Sequence, residues 1–126
     1  MSESPPGPGP GFWYLAGPYS ADPTRLVWVH RRSAALLFRA GLRVYSPICS
    51  WHEVAAHYDL PGDAAFWAVV NHGMIDRAEG LIVLVMEETP QSQGTRAELA
   101  HAEVQGKPVW GLEPPESLVF HWRRLR

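Results

Sequence analysis

The chain has 126 residues, which is the size of one domain and leaves no room for a second hydrophobic core. Hydrophobic residues make up 46% and charged residues 19%, a balance that excludes a chain disordered throughout. The formal net charge of −2 argues against a nucleic-acid-binding surface, which needs clustered Lys and Arg. We therefore expect one globular domain with a small-molecule partner and no nucleic acid.

The sequence also indicates where in the cell the protein is expected to reside. No apolar run approaches the roughly 18 residues of a membrane span, and the first residues lack the basic and apolar segments of a signal peptide. The single cysteine, Cys49, cannot form a disulfide within the chain. These features predict a cytoplasmic protein without membrane association.

Residues 1–11 are dominated by Pro and Gly and offer almost no side chain to bury. They are predicted to form a disordered tail, followed by a single domain at 12–126. At the other end, the aromatic and basic residues of 120–126 are expected to pack against a sheet edge or a second subunit.

Between these ends, apolar segments and helix-capping residues predict strands that alternate with helices. In chain order they are a strand at 12–16, a helix at 23–40 capped by Asp22 or Ser20, a strand at 42–45, a helix from Asp63 to 77, a strand at 80–86, a helix at 94–105 and a strand at 108–110. The irregular stretch after Ile48, which holds Trp51, His52, His57 and Tyr58, is predicted to be a loop with one helical turn. Such alternation implies right-handed crossovers and a parallel sheet.

In parallel sheets of this kind, ligands bind beyond the carboxyl ends of the strands. That rule selects the segments 17–20, 46–52 and 87–98. The predicted substrate-binding residues lie in them: Gly17, Tyr19, Ser20, Ser46, His52, Ser92, Gly94 and Thr95.

The first candidate segment, 92–98, follows the most apolar strand and opens a helix. Gly94 permits close approach to the backbone, while Ser92 and the free N–H groups of the first turn can receive an anion such as a phosphate. Glu98, one turn further, would face the same crevice. The alternative is an ordinary helix start with a capping hydroxyl and a Glu that favours the helix dipole.

The second candidate segment, 14–20, ends the first strand. The Tyr14 hydroxyl can orient a carboxylate, and Gly17 would let a ligand lie against the backbone. The alternative is an aromatic core residue followed by a turn.

Together and in this order, these segments resemble the nucleoside 2-deoxyribosyltransferase superfamily, in particular a small DUF1937-like branch of uncharacterised bacterial and phage proteins. The superfamily also includes the 2′-deoxynucleoside 5′-phosphate N-hydrolases. The matching pieces are Tyr-Leu-Ala-Gly-Pro-Tyr-Ser at 14–20, Val-Tyr-Ser-Pro-Ile at 44–48, Phe-Trp at 66–67, the strand at 81–85, Ser-x-Gly-x-x-x-Glu-x-x-x-Ala at 92–102 and Gly-Lys-Pro-Val at 106–109.

The resemblance implies an α/β, flavodoxin-like (Rossmann-like) fold, with a doubly wound parallel sheet of four to five strands in three αβα layers. It implies an enzyme that cleaves or transfers the N-glycosidic bond of a deoxynucleoside or its 5′-monophosphate. In the family, the Glu matching Glu98 attacks C1′ and forms a glycosyl ester, and the Tyr matching Tyr14 positions it. The residue matching Ser92 contacts the 5′ end of the sugar.

Two further expectations come from the resemblance. Members acting on free nucleosides tend to carry Asp where this chain has Ser92, and a carboxylate would repel a phosphate, so Ser92 favours nucleotides. Superfamily members generally assemble into dimers or larger oligomers, with a neighbour completing the pocket, so a homo-oligomer is expected.

The chain departs from the family at Asn71, which stands where the resemblance places an Asp that protonates the departing base. An amide cannot deliver a proton at neutral pH, and general acid catalysis contributes about 10²- to 10⁴-fold. Asp76 is the nearest acidic residue, but it lies five residues further along the predicted helix, so its side chain would point about 140° away from that of Asn71. His52, His72 and His101 are the alternative acids, although each also suits a structural or exposed role.

Neither a metal nor a cofactor is predicted. The pairs His52 with His57, and His101 with Glu98 or Glu103, match no standard zinc spacing, and no thiolates accompany them.

Two functions of different classes follow. The first is an N-glycosidase or deoxyribosyltransferase with Glu98, Tyr14 and the Asn71 position in its catalytic site. The alternative is a nucleotide-binding module that has lost catalysis, with Asn71 as the mark of that loss. A purely structural partner-binding domain is disfavoured by the polar, glycine-bearing crevice.

Overall fold

A computed structural model describes residues 4–126, so the first three residues of the predicted tail lie outside it. The strands are β1 (Trp13–Ala16), β2 (Val44–Tyr45), β3 (Leu81–Leu84), β4 (Val109–Leu112) and β5 (Trp122–Arg124). The α-helices are α1 (Pro23–Arg39), α2 (Pro47–His57), α3 (Ala64–Arg77) and α4 (Gln93–Val104), and a short 3-10 turn covers Thr89–Gln91. No helix within the described residues is long and apolar enough to cross a membrane.

The strands form one sheet in the order β2-β1-β3-β4-β5. The first four are parallel, and β5 runs antiparallel to β4. The predicted α/β class is confirmed, since residues 4–126 contain five strands and four α-helices in a three-layer, flavodoxin-like arrangement. The segment 120–126 does lie at a sheet edge, because it supplies β5.

Side chains alternate between the two faces of the sheet and build a core on each. On one face, Tyr14 and Leu81 pack with Ile75 of α3 and Ala102 of α4. On the other face, Leu15 and Ile82 pack with Leu37 of α1, among other residues. Tyr14 therefore points toward α3 and α4, the two helices that carry Asn71 and Glu98.

The prediction of a loop after Ile48 is wrong, because α2 occupies most of that stretch. Ser46 caps the helix, its Oγ accepting from the Cys49 N–H at 3.1 Å, and Pro47 occupies the first turn. A hydroxyl cap followed by Pro is a typical helix start. The helix was hard to recognise because Pro47 is its only buried residue, so no apolar stripe marks a core-facing side.

The predicted strand at 42–45 is shorter than expected because the turn after α1 uses its first residue. Gly41 adopts a φ of +94°, a left-handed conformation that favours glycine. The Leu42 N–H then bonds back to the Leu37 carbonyl at 3.0 Å, so pairing with β1 begins only at Val44.

Residues 4–11 contain no helix or strand. Even so, Arg43 Nη1 donates to the Pro10 carbonyl at 2.9 Å, and a Cβ added at Gly41 would lie 3.1 Å from Pro8. The end of the predicted tail thus lies against the α1–β2 turn. The disorder predicted for residues 1–11 stays a prediction.

Gly80, just before β3, packs so closely that a side chain has no space. A Cβ there would lie 2.5 Å from both the Pro108 carbonyl oxygen and Trp13 Cζ3. We expect Gly80→Ala to lower the free energy of unfolding by about 1–3 kcal/mol, measured by urea denaturation. Gly62→Ala is the control, because nothing lies within 4 Å of its added Cβ. Equal stability of the two variants would contradict this packing.

Candidate functional site

A cavity of about 750 Å³ opens beyond the carboxyl ends of β1, β2 and β3. Parts of all three predicted segments line it, together with residues of α2 and α3. The site therefore lies where the topology of a parallel sheet places ligands.

At this cavity, Glu98 receives two hydrogen bonds on one oxygen. The hydroxyl of the fully buried Tyr14 donates to Glu98 Oε2. Asn71 Nδ2 donates to the same atom at 3.4 Å. Within residues 4–126, Glu98 Oε1 has no hydrogen-bond partner. The structure thus brings the three predicted catalytic positions together and leaves one carboxylate oxygen unengaged.

The surroundings of Tyr14 and Glu98 shift the pKa of both side chains. Burial raises the pKa of Glu98 to about 7, while the Tyr14 hydrogen bond acts in the opposite direction. Burial and the nearby Glu98 charge raise the pKa of Tyr14 well above its usual range, so the phenol remains a donor at neutral pH. Glu98 is thus a poorly solvated carboxyl that can ionise near neutral pH, which suits a nucleophile or a base.

The first turn of α4 contains the predicted anion site. Ser92 caps the helix, because its Oγ accepts from the Thr95 N–H at 3.3 Å and lies 2.8 Å from Thr95 Oγ1. The N–H groups of Gln93 and Gly94 have no partner in the described part of the chain. A Cβ at Gly94 would meet nothing within 4 Å. The capping hydroxyl of an ordinary helix start is therefore present. Within residues 4–126, the N–H groups of Gln93 and Gly94 also remain as free donors beside the cavity.

The other predicted binding residues occupy different positions. Tyr19 and His52 line the cavity, and the Tyr19 hydroxyl lies 2.5 Å from His52 Nδ1. Ser20 also lines it. Gly17 lines the cavity as well. A Cβ added at Gly17 would lie 3.0 Å from His30 Cε1, so the absence of a side chain leaves space for the buried His30 ring. Ser46 is not part of the cavity lining and serves as the cap of α2.

Sequence reasoning did not single out the aromatic wall of the cavity. Trp51 and Trp67 both line it, with ring centroids 6.0 Å apart. Their indole N–H groups donate to the Tyr45 hydroxyl at 2.9 Å and the Pro61 carbonyl at 2.7 Å. Recognising α2 would have placed Trp51 on a helix next to the crevice. Two anchored indoles provide a surface suited to a flat, apolar ring.

Of the three histidines considered as alternative acids, His52 and His72 line the cavity. His101 is not part of the lining, and its Nε2 lies 2.7 Å from Asp76 Oδ1. No group of three or more His, Cys, Asp or Glu side chains in residues 4–126 is arranged to hold a metal ion.

The chain matches a known protein family. The family model described as a domain of unknown function, DUF1937, matches residues 11–113, which include the whole cavity lining. No curated protein matches the chain.

The Tyr14 hydrogen bond stabilises the ionised form of Glu98, so removing it should shift the titration upward. We expect Tyr14→Phe to raise the pKa of Glu98 above about 7, measured by ¹³C NMR of the Glu98 carboxyl. Tyr45→Phe is the control, because the Tyr45 hydroxyl accepts from Trp51 and makes no hydrogen bond to Glu98. An unchanged or lowered pKa in Tyr14→Phe would contradict the assigned donor.

The raised pKa of Glu98 also predicts how stability depends on pH. Because the folded protein holds this proton more tightly than the unfolded chain, ionisation should weaken the fold as pH rises from about 4.5 to about 7. Glu98→Gln cannot ionise, so its stability relative to the native protein should increase over that range and then level off. Denaturation across pH measures this, with the exposed Glu103→Gln as control. A difference independent of pH would contradict the assignment.

Proposed function

The chain belongs to the DUF1937 family, and we propose that it cleaves or transfers the N-glycosidic bond of a nucleoside 5′-monophosphate or nucleoside through a glycosyl ester at Glu98. The observation that carries the proposal is the hydrogen bond from buried Tyr14 to Glu98 at the cavity. The reaction class comes from the resemblance to the nucleoside 2-deoxyribosyltransferase superfamily. Placement in that superfamily and a homo-oligomeric state are parts of the same proposal.

In the first step, an oxygen of ionised Glu98 bonds to C1′ while the bond from C1′ to the base nitrogen breaks. The base leaves with the electron pair and takes a proton from a donor in the cavity or from water. In the second step, water or another base attacks C1′ while the bond from C1′ to the Glu98 oxygen breaks. Glu98 leaves as a carboxylate and the attacking water or base gives up a proton, so two displacements retain the sugar configuration. Tyr14 holds Oε2, which favours attack by Oε1.

The cavity suits a nucleotide in size and in chemistry. Its volume of about 750 Å³ is ample for such a ligand. We assign the phosphate to the first turn of α4, where Ser92 and the free N–H groups of Gln93 and Gly94 meet the positive end of the helix dipole. We assign the base to the aromatic wall formed by Trp51 and Trp67.

One observation favours the alternative of a nucleotide-binding module without turnover. Asn71 contacts the same Glu98 oxygen as Tyr14, in the position where the resemblance places a proton donor. A protein of this kind would bind a deoxynucleotide in calorimetry and leave it intact.

If Glu98 is the nucleophile, Glu98→Gln should lower base release by about 10³-fold or more, because an amide cannot form the ester, while nucleotide binding persists. The assay screens the deoxynucleoside 5′-monophosphates and free deoxynucleosides for released base. Glu103→Gln is the matched control, since that residue lies on the same helix and pairs with Arg126 at 3.1 Å on the surface. Full activity in Glu98→Gln, or no release by the native protein, would contradict the proposal.

Asn71→Asp separates the enzyme from the binding module. If the amide has removed catalysis, the carboxyl should create or greatly raise base release, by up to about 10²- to 10⁴-fold. If the native protein already has its own proton donor, the substitution should raise release little. Release measured for both proteins on the same substrates decides between the two, because activity only in Asn71→Asp identifies the native chain as a binding module.

A further inference from the structure

The face that α3 turns to the cavity includes a histidine beside the Asn71 amide. The residues of α3 that line the cavity recur at helical spacing and form one stripe: Ala64, Trp67, Ala68, Asn71 and His72. His72 is therefore next to the residue that contacts Glu98. A nucleotide seated against Glu98 would lie along this stripe.

A neighbouring helix holds the His72 ring. It stacks on His101 of α4, with centroids 4.1 Å apart and planes 11° from parallel. His101 Nε2 in turn lies 2.7 Å from Asp76 Oδ1, which fixes the second ring. Neither ring nitrogen of His72 has a hydrogen-bond partner among residues 4–126. The ring is positioned by stacking, and both nitrogens remain available to a ligand.

We propose that His72 is the proton donor to the departing base, positioned by its stack on His101 and by the His101–Asp76 pair. This inference rests on the proposed function. Protonated His72 gives its N–H proton to a base nitrogen as the bond from C1′ to the base breaks and the Glu98 ester forms. In hydrolysis, neutral His72 then takes a proton from the water that attacks C1′, which restores both groups.

The other candidates at the cavity suit this role less well. Asn71 has no acidic proton, and His52 Nδ1 already contacts the Tyr19 hydroxyl.

Burial and His101 lower the pKa of His72, while Asp76 acts in the opposite direction. Besides His101, helix α4 places one further ionisable side chain near α3 at the cavity, that of Glu98. A lowered pKa makes the protonated ring a stronger acid and reduces its population at neutral pH.

The test compares leaving groups with different needs for a proton. The substrates are a natural deoxynucleoside 5′-monophosphate that the native protein cleaves and 4-nitrophenyl 2-deoxyribofuranoside 5-phosphate, whose phenolate leaves unprotonated. We expect His72→Gln to slow release of the natural base by about 10²- to 10⁴-fold and release of nitrophenolate far less. It should also remove the decline of kcat/KM with rising pH. His57→Gln, at an exposed position of α2, should match the native protein.

The outcomes separate this assignment from the function on which it rests. If the native protein releases no base from any deoxynucleoside 5′-monophosphate, the proposed function is wrong, and the role of His72 is wrong with it. If the native protein is active and His72→Gln is equally active, or slows both leaving groups alike and keeps the decline at high pH, only the role of His72 is wrong.

Discussion

The hydrogen bond between Tyr14 and Glu98 connects the central sheet to helix α4 at the floor of the cavity. A carboxylate removed from water is unfavourable unless donors replace its hydration. Here a buried phenol and an amide provide them, both directed at one oxygen. The cap of α4 and the aromatic wall line the same cavity as Glu98.

The pair follows from the sheet. Tyr14 pairs with Leu81 of β3, and both point to the face covered by α3 and α4. Shifting β1 by one residue would turn Tyr14 to the α1 face and separate it from Glu98. Gly80 permits the close approach of Trp13 and the Pro108 backbone beside that register. Packing at the start of β3 thus helps to place a reactive group on the other side of the sheet.

Much of the fold could be predicted because its signals are local. Asp22, Asp63 and Ser92 cap the helices that follow them, and β3 is fully buried, as its continuous apolar run predicts. Helix α2 could not be predicted from periodicity, because little of it is buried. Its sole local signal was the Ser46–Pro47 start.

The candidate site was predictable only in part, because side-chain contacts depend on how helices rotate against each other. The resemblance placed Asn71 at the position of a proton donor to the departing base, and the structure shows Asn71 in contact with Glu98. The pairing of Trp51 with Trp67 and the stack of His72 on His101 each join two helices. No sequence spacing specifies such contacts, since they arise from tertiary packing.

The most direct test of the account is to trap the ester. The protein is incubated with 2′-deoxy-2′-fluoro nucleoside 5′-monophosphates, because the fluorine slows hydrolysis of the glycosyl ester and lets it accumulate. Intact-mass and fragment spectra should show one fluorinated sugar phosphate on the native chain, attached at Glu98, and none on Glu98→Gln. Base release without any adduct, or an adduct on a different residue, would contradict nucleophilic attack by Glu98.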